Sequence, residues 1–497
     1  MDMLANFALP FMDLDLFFLV GVGTFAGIYV GAIPGLSVTM ATALLLSVTY
    51  SWDMLDALAL IMGVYVGGVY GGSRSAMLLN IPGAPASVAT TFDGYPMSKL
   101  GEAGLGIGLA TTMSFVGGIV GVFFLVFFTP LIADFALKFD HRDYFLLALM
   151  GLLLIGTLSR GGFRQSIFIA FLGVIIGLVG LDPITASPRF TFGTLALSQG
   201  INIVVAILGL FGFSEVLLQL SELRLASPVA QVGRTVPERK LILRLLPLSL
   251  RTSVIGVFIG ALPGVGGEIA ALLGYDHAKR TVKNPSRPFG EGAYEGVAAP
   301  ESANNAAIGG ALIPMLTLGI PGDAVTAVII GSLVIHGLNP GPTLMINTPE
   351  LFYVVAGSVL LANFFLLVFG FSGIQVFKKM VSVPKAYLLP AVTLLTIIGA
   401  YAINNNVTDI FWAFGFGIIG FVLRLNGIAV APMVLGIILG PLLDESLRAT
   451  LIADNSQLDV FLLGFVTSPI SLVLSFVILM ALASNIGVFK LFARART

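Results

Sequence analysis

Four carboxyl or amide side chains fall within a stretch of sequence that is otherwise apolar enough to lie in a bilayer. Between Ala298 and Asp323 these are Glu301, Asn304, Asn305 and Asp323. Groups this polar are costly at membrane depth and mark places where a polar solute binds or passes. The Gly-Ile-Pro-Gly at Gly319 to Gly322 predicts a broken or re-entrant helix, because it lacks one amide and the rotational restraint of a regular helix. A break frees backbone amides and carbonyls for ions or carboxylates, so the stretch suggests a transport site.

Helix breaks of this kind recur at positions that match one another. GIYVGAIPG from Gly27 corresponds to GVFIGALPG from Gly256, at an offset of 229 (256 − 27). NIPGAPAS from Asn80 corresponds to GIPGDAVT from Gly319, at 239 (319 − 80), and Tyr144 to Phe168 aligns with Tyr387 to Phe411 at 243 (387 − 144). The chain therefore contains two diverged copies, and paired breaks in two copies are typical of secondary transporters. The alternative is a duplicated scaffold without a central site.

The copies divide the chain into three parts. Residues 1–220 form the predicted first transmembrane repeat, 221–249 a basic cytoplasmic linker, and 250–497 the second transmembrane repeat. The segment before the first copy is acidic, whereas the one before the second is rich in arginine and lysine. By the positive-inside rule the two copies are inverted, with the N-terminus periplasmic and the C-terminus cytoplasmic.

The composition is that of a membrane protein. Hydrophobic residues make up 57% of the chain and charged residues 10%, and the mean hydropathy is +1.01. The apolar runs are continuous, which predicts an all-α polytopic protein with about ten to twelve crossings and excludes the alternating pattern of a β-barrel. The acidic start does not resemble a cleavable signal, so the first apolar run is expected to remain as a membrane helix.

The composition also excludes several classes of function. With no cysteine, the chain has no disulfide, thiolate metal site or cysteine nucleophile. The net charge of −1 and the lack of a basic, aromatic surface argue against nucleic acid. No nucleotide-binding loop or hydrolase motif is present, so we expect neither an enzyme nor ATP-driven transport, and no cofactor beyond a coupling ion.

Residues near the breaks are candidates for binding, and each has a plainer alternative. Arg74 can grip a carboxylate in two places, or its guanidinium can snorkel to lipid phosphate. Asp323 can coordinate Na⁺, take up a proton or pair with Arg74, or it can cap the helix that follows Gly322. Glu301 is expected to cap a helix start, while Asn304 and Asn305 can reach an ion. We therefore predict Asn305 and Asp323 as Na⁺ ligands.

At these motifs the chain resembles the large membrane subunit of the tripartite tricarboxylate transporters, the TctA family. The resemblance rests on the motif from Gly27 to Leu36, on YGGS from Tyr70, and on the long stretches Asn80 to Gly104 and Phe289 to Pro342. It implies a transporter of the bacterial inner membrane. Its partners would be a small four-helix membrane subunit and a periplasmic binding protein that delivers a di- or tricarboxylate, with uptake driven by a cation gradient, most simply Na⁺.

The predicted substrate site combines these signature motifs with the helix breaks. It comprises Pro34, Gly35, Tyr70, Ser73, Arg74, Asn80, Pro82, Gly83, Pro263, Gly264, Asn304, Asn305, Pro321 and Gly322. Ala84, Asp323 and Arg74 differ from the pattern associated with the family, and our hypothesis is that Arg74 adapts the site to a particular carboxylate. The alternatives are a stand-alone organic-anion carrier and a non-transporting membrane scaffold; a membrane-embedded hydrolase is a more distant alternative.

Overall fold

The computed structural model describes residues 2–33, 36–158, 162–221, 235–373, 385–454 and 457–486. Within these ranges almost all regular structure is helical, and the exception is a short antiparallel pair, β1 (Gly180–Leu181) with β2 (Pro188–Arg189). The helices of the first part of the chain are α1 Asp2–Met12, α2 Leu14–Ala32, α3 Val38–Thr49, α4 Met54–Leu79, α5 Val88–Lys99, α6 Ala103–Ala136, α7 His141–Leu158, α8 Phe163–Gly177, α9 Leu195–Ser198, α10 Ile203–Ile207 and α11 Ser214–Ser221. A 3₁₀ turn, Pro85–Ser87, precedes α5, and a π-helical segment, Leu208–Phe213, joins α10 to α11.

The second part of the chain is helical in the same way. Its helices are α12 Arg239–Gly260, α13 Gly266–Thr281, α14 Glu295–Leu318, α15 Ala324–Ile335, α16 Pro342–Asn347, α17 Pro349–Ser372, α18 Lys385–Asn404, α19 Val407–Leu425, α20 Ala431–Ala453, α21 Leu458–Thr467 and α22 Pro469–Ile486.

Seven helices among the described residues are long and apolar enough to cross a membrane. The number is eight if the bent pair Asp459–Thr467 and Pro469–Ala483, which meet at 91°, forms one span. The chain is therefore an all-α, multi-pass membrane protein. Several further apolar helices, such as α3 and α15, are shorter than a span because the chain breaks beside them. The expected ten to twelve crossings stay a prediction.

Close approach of α2 and α4 shows how small residues shape the bundle. A Cβ on Gly27 would lie 2.5 Å from the Val64 carbonyl oxygen, so only glycine fits there. Successive glycines of α2 face successive turns of α4: Gly23 meets Leu60, Gly27 meets Val64 and Gly31 meets Gly68. The two helices therefore run in the same direction.

Helices α4 and α14 run in opposite directions at the centre of the molecule. Ser73, near the end of α4, bonds to Glu301, which lies in the first half of α14. Tyr65, earlier in α4, bonds to Asp323, which lies beyond the end of α14. Moving along α4 thus leads back towards the start of α14, and the main apolar core surrounds this crossing.

Candidate functional site

A cavity of about 600 Å³ lies where the helix breaks of the two parts of the chain meet. Its wall includes segments from both parts, among them Leu36–Thr39, Pro82–Ala86, Gly264–Ile269, Asp323–Val325 and Gly427–Pro432. The volume is in the range of small-molecule sites. Most of these segments follow directly on a helix break that the sequence predicted.

The helix break at Pro82 folds the chain back on itself. Helix α4 ends at Leu79, and its C-cap, Asn80, has a left-handed φ of 57°. Pro82 and Gly83 then return towards Gly72 of α4. There the Gly83 amide donates to the Gly72 carbonyl oxygen at 3.3 Å. A Cβ on Gly83 would lie 2.1 Å from the Gly31 carbonyl oxygen, so the break closes only around glycine.

The helix break at Pro321 has the same form as the break at Pro82. Helix α14 ends at Leu318, and its C-cap, Gly319, again has a left-handed φ, of 69°. A Cβ on Gly322 would lie 2.5 Å from the carbonyl oxygen of Gly260. The two close contacts are thus related by the offsets found in the sequence, 322 − 83 = 239 and 260 − 31 = 229. The Gly264 amide also donates to the Pro321 carbonyl oxygen at 3.2 Å, which ties two of the breaks together.

Helix N-termini line the cavity on several sides. Residues of the first turns of α3, α5, α13 and α15 form part of its wall. Free backbone amides and the positive end of the helix dipole favour anions at such places. Ser37 caps α3 by accepting from the Met40 amide at 3.0 Å. The arrangement can therefore hold carboxylate groups without a dense cluster of basic side chains.

Asp323 caps α15, which is one of the four roles that the sequence predicted for it. Its carboxylate accepts from the Thr326 amide at 2.7 Å, and the Thr326 hydroxyl completes a capping box. The Tyr65 hydroxyl donates to the other carboxylate oxygen at 2.5 Å, which joins α4 to α15 across the cavity wall. Asp323 therefore lines the cavity with both oxygens already engaged.

Asn304 is the polar side chain with the clearest opening for a ligand. It is 1% exposed and lines the cavity, yet neither its amide nitrogen nor its amide oxygen has a hydrogen-bond partner among the described residues. Its oxygen lies 2.2 Å from the place that a Cβ on Gly267 would take, so the amide sits directly against the start of α13. A buried amide without partners is costly unless a ligand satisfies it.

The cavity also contains an ion pair that the sequence analysis missed. Arg424, at the end of α19, contacts Glu215, at the start of α11, and both line the wall. Each is an isolated charge in or beside an apolar run, and that was the available signal. Their pairing joins residues 209 positions apart, which only the tertiary structure reveals.

Glu301 lies inside α14, so the prediction that it caps a helix start is wrong. The helix begins earlier, at Glu295, and continues through Pro300. Glu301 is 0% exposed and accepts hydrogen bonds from Ser73 at 2.6 Å, from Ser114 at 2.9 Å and from Thr90. Asn305 donates to Ser114 at 2.8 Å. We call Ser73, Thr90, Ser114, Glu301 and Asn305 the Glu301 cluster; none of them lines the cavity.

Arg74 also lies away from the cavity. It is 1% exposed, so its guanidinium does not snorkel to lipid phosphate. It donates to the carbonyl oxygens of Phe369 at 3.0 Å and Gly370 at 2.9 Å, at the end of α17. A cation is favourable at a helix C-terminus, so this contact holds α17 in place. No contact with a substrate carboxylate follows from this position.

The predicted site residues thus separate into groups. Pro82, Gly83, Gly264, Asn304 and Asp323 line the cavity. Gly322, Pro321 and Pro263 are buried in the breaks behind the wall, Asn80 is exposed at the end of α4, and the Tyr70 hydroxyl contacts Thr111. Pro34 and Gly35 lie outside the described residues. Among the described residues no group of three or more Asp, Glu or His could hold a metal ion.

The cavity and both breaks fall within a region that is similar to known proteins. A model of the tripartite tricarboxylate transporter TctA family matches residues 17–435. The chain is 37% identical over 451 residues to an uncharacterised 52.8 kDa protein in the TAR-I ttuC′ 3′ region of Agrobacterium vitis, and the match covers 90% of this chain and 89% of that protein. It is 42% identical over 216 residues to an uncharacterised protein in the TAR-II ttuC′ 3′ region, covering 44% of this chain and 87% of that protein. No solved structure matches.

Proposed function

Because the chain belongs to the tripartite tricarboxylate transporter TctA family, we propose that it is the membrane subunit through which a di- or tricarboxylate is imported. The observation that carries the proposal is the cavity, which lies between the helix breaks and is lined by the unpartnered amide of Asn304. Amides at the starts of α3, α5 and α13 would hold the carboxylates, whereas the start of α15 is already capped by Asp323. Asn304 and Arg424 would fix their orientation.

The transport cycle would use two inverted repeats, residues 1–220 and 250–497, joined by the linker 221–249. One observation supports the duplication and a second supports the inversion. The close contact of Gly83 with Gly31 recurs between Gly322 and Gly260 at the sequence offsets, and α4 runs opposite to α14. In such transporters one bundle moves against the other about a site at the repeat interface, which exposes the site to each side in turn.

Uptake would be driven by a cation gradient, and Na⁺ is the proposed ion. The charged groups in the described wall of the cavity are three carboxylates and one guanidinium: Glu215, Glu268, Asp323 and Arg424. Bringing an anion into a wall with this excess of negative charge is unfavourable unless cations accompany it. Na⁺ would enter with the substrate for this reason.

The remaining proposals concern the setting of the protein. It would lie in the bacterial inner membrane with a periplasmic N-terminus and a cytoplasmic C-terminus. A periplasmic binding protein would deliver the carboxylate, and a small four-helix membrane subunit would complete the transporter. The exposed apolar side chains of α6, such as Phe123 and Phe127, are suited to lipid or to that subunit.

The test is uptake of labelled citrate, succinate, tartrate and an aromatic carboxylate by cells that express this chain with its neighbouring subunits. We expect one of these to accumulate only with an inward Na⁺ gradient, and Asn304→Ala to raise its KM about tenfold or more, since a buried hydrogen-bond partner is lost. Accumulation without the small subunit would favour a stand-alone carrier. Uptake that is unchanged in Asn304→Ala would overturn the proposed site.

A further inference from the structure

The Glu301 cluster places a carboxylate in the core without a cation. Glu301 is fully buried and has no ion pair with any described lysine, arginine or histidine. Three hydroxyls from α4, α5 and α6 donate to it, which offsets only part of the cost of burying a charge. The Glu301 carboxyl at the centre of the cluster therefore has hydroxyl partners and no basic partner among the described residues.

The charged residues nearest in sequence to these hydroxyls do not supply the missing cation. Arg74 follows Ser73, but its guanidinium donates to Tyr70 and to the end of α17. Asp93, one turn after Thr90, is itself an acidic residue, and its carboxylate accepts from the backbone amides of Gly290, Gly292 and Ala293. Neither contacts Glu301.

Asn305 adds an acceptor that is also unused. Its amide nitrogen donates to Ser114 and to the Glu301 carbonyl oxygen at 2.9 Å, while its amide oxygen has no hydrogen-bond partner among the described residues. The side chain is 1% exposed. A buried oxygen without a donor, beside a buried carboxylate without a cation, points to a positively charged ligand.

We propose that the Glu301 cluster is a binding site for one Na⁺ ion, separate from the cavity. All of its side-chain ligands would be oxygen atoms, which are the ligands that hard cations prefer. One carboxylate neutralises one monovalent cation, whereas a divalent ion would leave a net positive charge in the core. The hydroxyls keep lone pairs for the ion while their hydrogens remain on Glu301.

The position of the cluster couples such an ion to the cavity. Asn304 and Asn305 are adjacent on α14, and the first faces the cavity while the second belongs to the cluster. Thr90 lies on the first turn of α5, whose first residue, Val88, also lines the cavity. An ion that binds Glu301 would fix both helices in place and so order the cavity wall; this consequence, unlike the site itself, rests on the proposed function.

The experiment measures the apparent Tm of the full chain, purified in detergent, as NaCl replaces choline chloride at constant ionic strength. We expect the Tm to rise and saturate with Na⁺, because the ion binds the folded state. Glu301→Gln, which keeps the volume and loses the charge, should remove the dependence on Na⁺. Ser114→Ala should require about tenfold more Na⁺. Thr112→Ala is the matched control on α6, since the Thr112 hydroxyl bonds only the Gly108 carbonyl oxygen, and it should respond as the unmodified chain does.

Three results would overturn the site: a Na⁺ response that persists in Glu301→Gln, no Na⁺ response in the unmodified chain, or stabilisation by acid in place of Na⁺, which would identify a proton site. The uptake assay separates this inference from the proposed function. A Na⁺ response that depends on Glu301, with no uptake of any carboxylate tested, would leave the site standing and the transport proposal failing. Na⁺-driven uptake, together with a Na⁺ dependence of the Tm that persists in Glu301→Gln, would support the transport proposal and overturn the site.

Discussion

Arg424 contacts Glu215 in the wall of the cavity. A substrate carboxylate would therefore compete with the Glu215 carboxylate for the Arg424 guanidinium. We expect Arg424→Gln to raise the KM for uptake about 10- to 100-fold, since hydrogen bonds to charged groups contribute ~1.5–3 kcal/mol. Glu215→Gln should lower the KM, because it removes the competitor and leaves Arg424 in place. Uptake kinetics of the two variants at equal expression provide the measurement, and a change in the same direction in both would contradict the competition.

A second prediction for a single residue concerns Gly83, because a Cβ there would lie 2.1 Å from the Gly31 carbonyl oxygen. We expect Gly83→Ala to destabilise the break by ~1–3 kcal/mol, as for other overpacked sites, and to reduce uptake. Gly415→Ala is the control, since a Cβ there meets no atom within 4 Å and alanine favours the helix. Thermal unfolding of both variants tests this. Equal Tm values would mean that the break relaxes without cost.

The two adjacent asparagines show what sequence reasoning reaches and where it stops. Their position beside Glu301 in an apolar stretch marked both Asn304 and Asn305 as candidates. Which side of α14 faces a cavity depends on packing against α6, α12 and α13, and those contacts join residues far apart in the chain. The same limit hid the hydroxyls of Thr90 and Ser114, which are unremarkable in sequence and contact Glu301 only where the helices cross.

At the scale of the element, the proline and glycine punctuation located the breaks correctly, since α4 ends just before Pro82 and α14 just before Pro321. The start of α14 was not readable, because the polar segment before it reads as a loop and proline at Pro300 reads as a helix start. In the structure, hydrogen bonds hold this segment, which precedes Glu295, against α5. Asp93 accepts from three of its amides, and the Tyr275 hydroxyl also donates to Asp93 at 2.9 Å.

An ion pair of the same segment, between Arg287 and Glu102, predicts that the stability of the protein depends on pH. Arg287 contacts both carboxylate oxygens of Glu102, at 2.7 and 2.6 Å. Hydrogen bonding to Arg287 holds the pKa of Glu102 below its ordinary value. A lowered pKa in the folded state means that this contribution to stability is present above the unfolded pKa and is lost as pH falls through the folded pKa.

We therefore expect Glu102→Gln to lower the Tm at pH 7 by an amount that corresponds to less than about 1 kcal/mol, since the pair is partly exposed. The difference from the unmodified chain should shrink as pH falls below the ordinary range of a glutamate pKa. Unfolding curves from pH 7 to pH 3 provide the comparison. A difference that stays constant over this range would show that the carboxylate charge contributes nothing here.

At the scale of the whole molecule, the packing of late helices links the two parts of the chain. Helix α8 approaches α20 where Gly173 meets Met433, and the π-helical segment approaches α19 where Gly209 meets Ala413. Late helices of the two parts thus pack against each other, and each part covers some of the surface of the other. The cavity lies between the breaks that this exchange brings together, which is where a movement of one bundle against the other would change access.

Inversion of the two parts can be tested by labelling, because the chain has no cysteine and any single introduced thiol is unique. Ser51, between α3 and α4, and Lys283, between α13 and α14, are exposed residues in corresponding loops. We expect Ser51→Cys to react with a membrane-impermeant maleimide in intact cells and Lys283→Cys to react only after permeabilisation. The residues near Ser51 are acidic and those near Lys283 are basic, so the positive-inside rule predicts that the two loops lie on opposite sides. Labelling of both from the same side would contradict inversion, and it would also contradict the antiparallel arrangement of α4 and α14 that the contacts with Glu301 and Asp323 indicate.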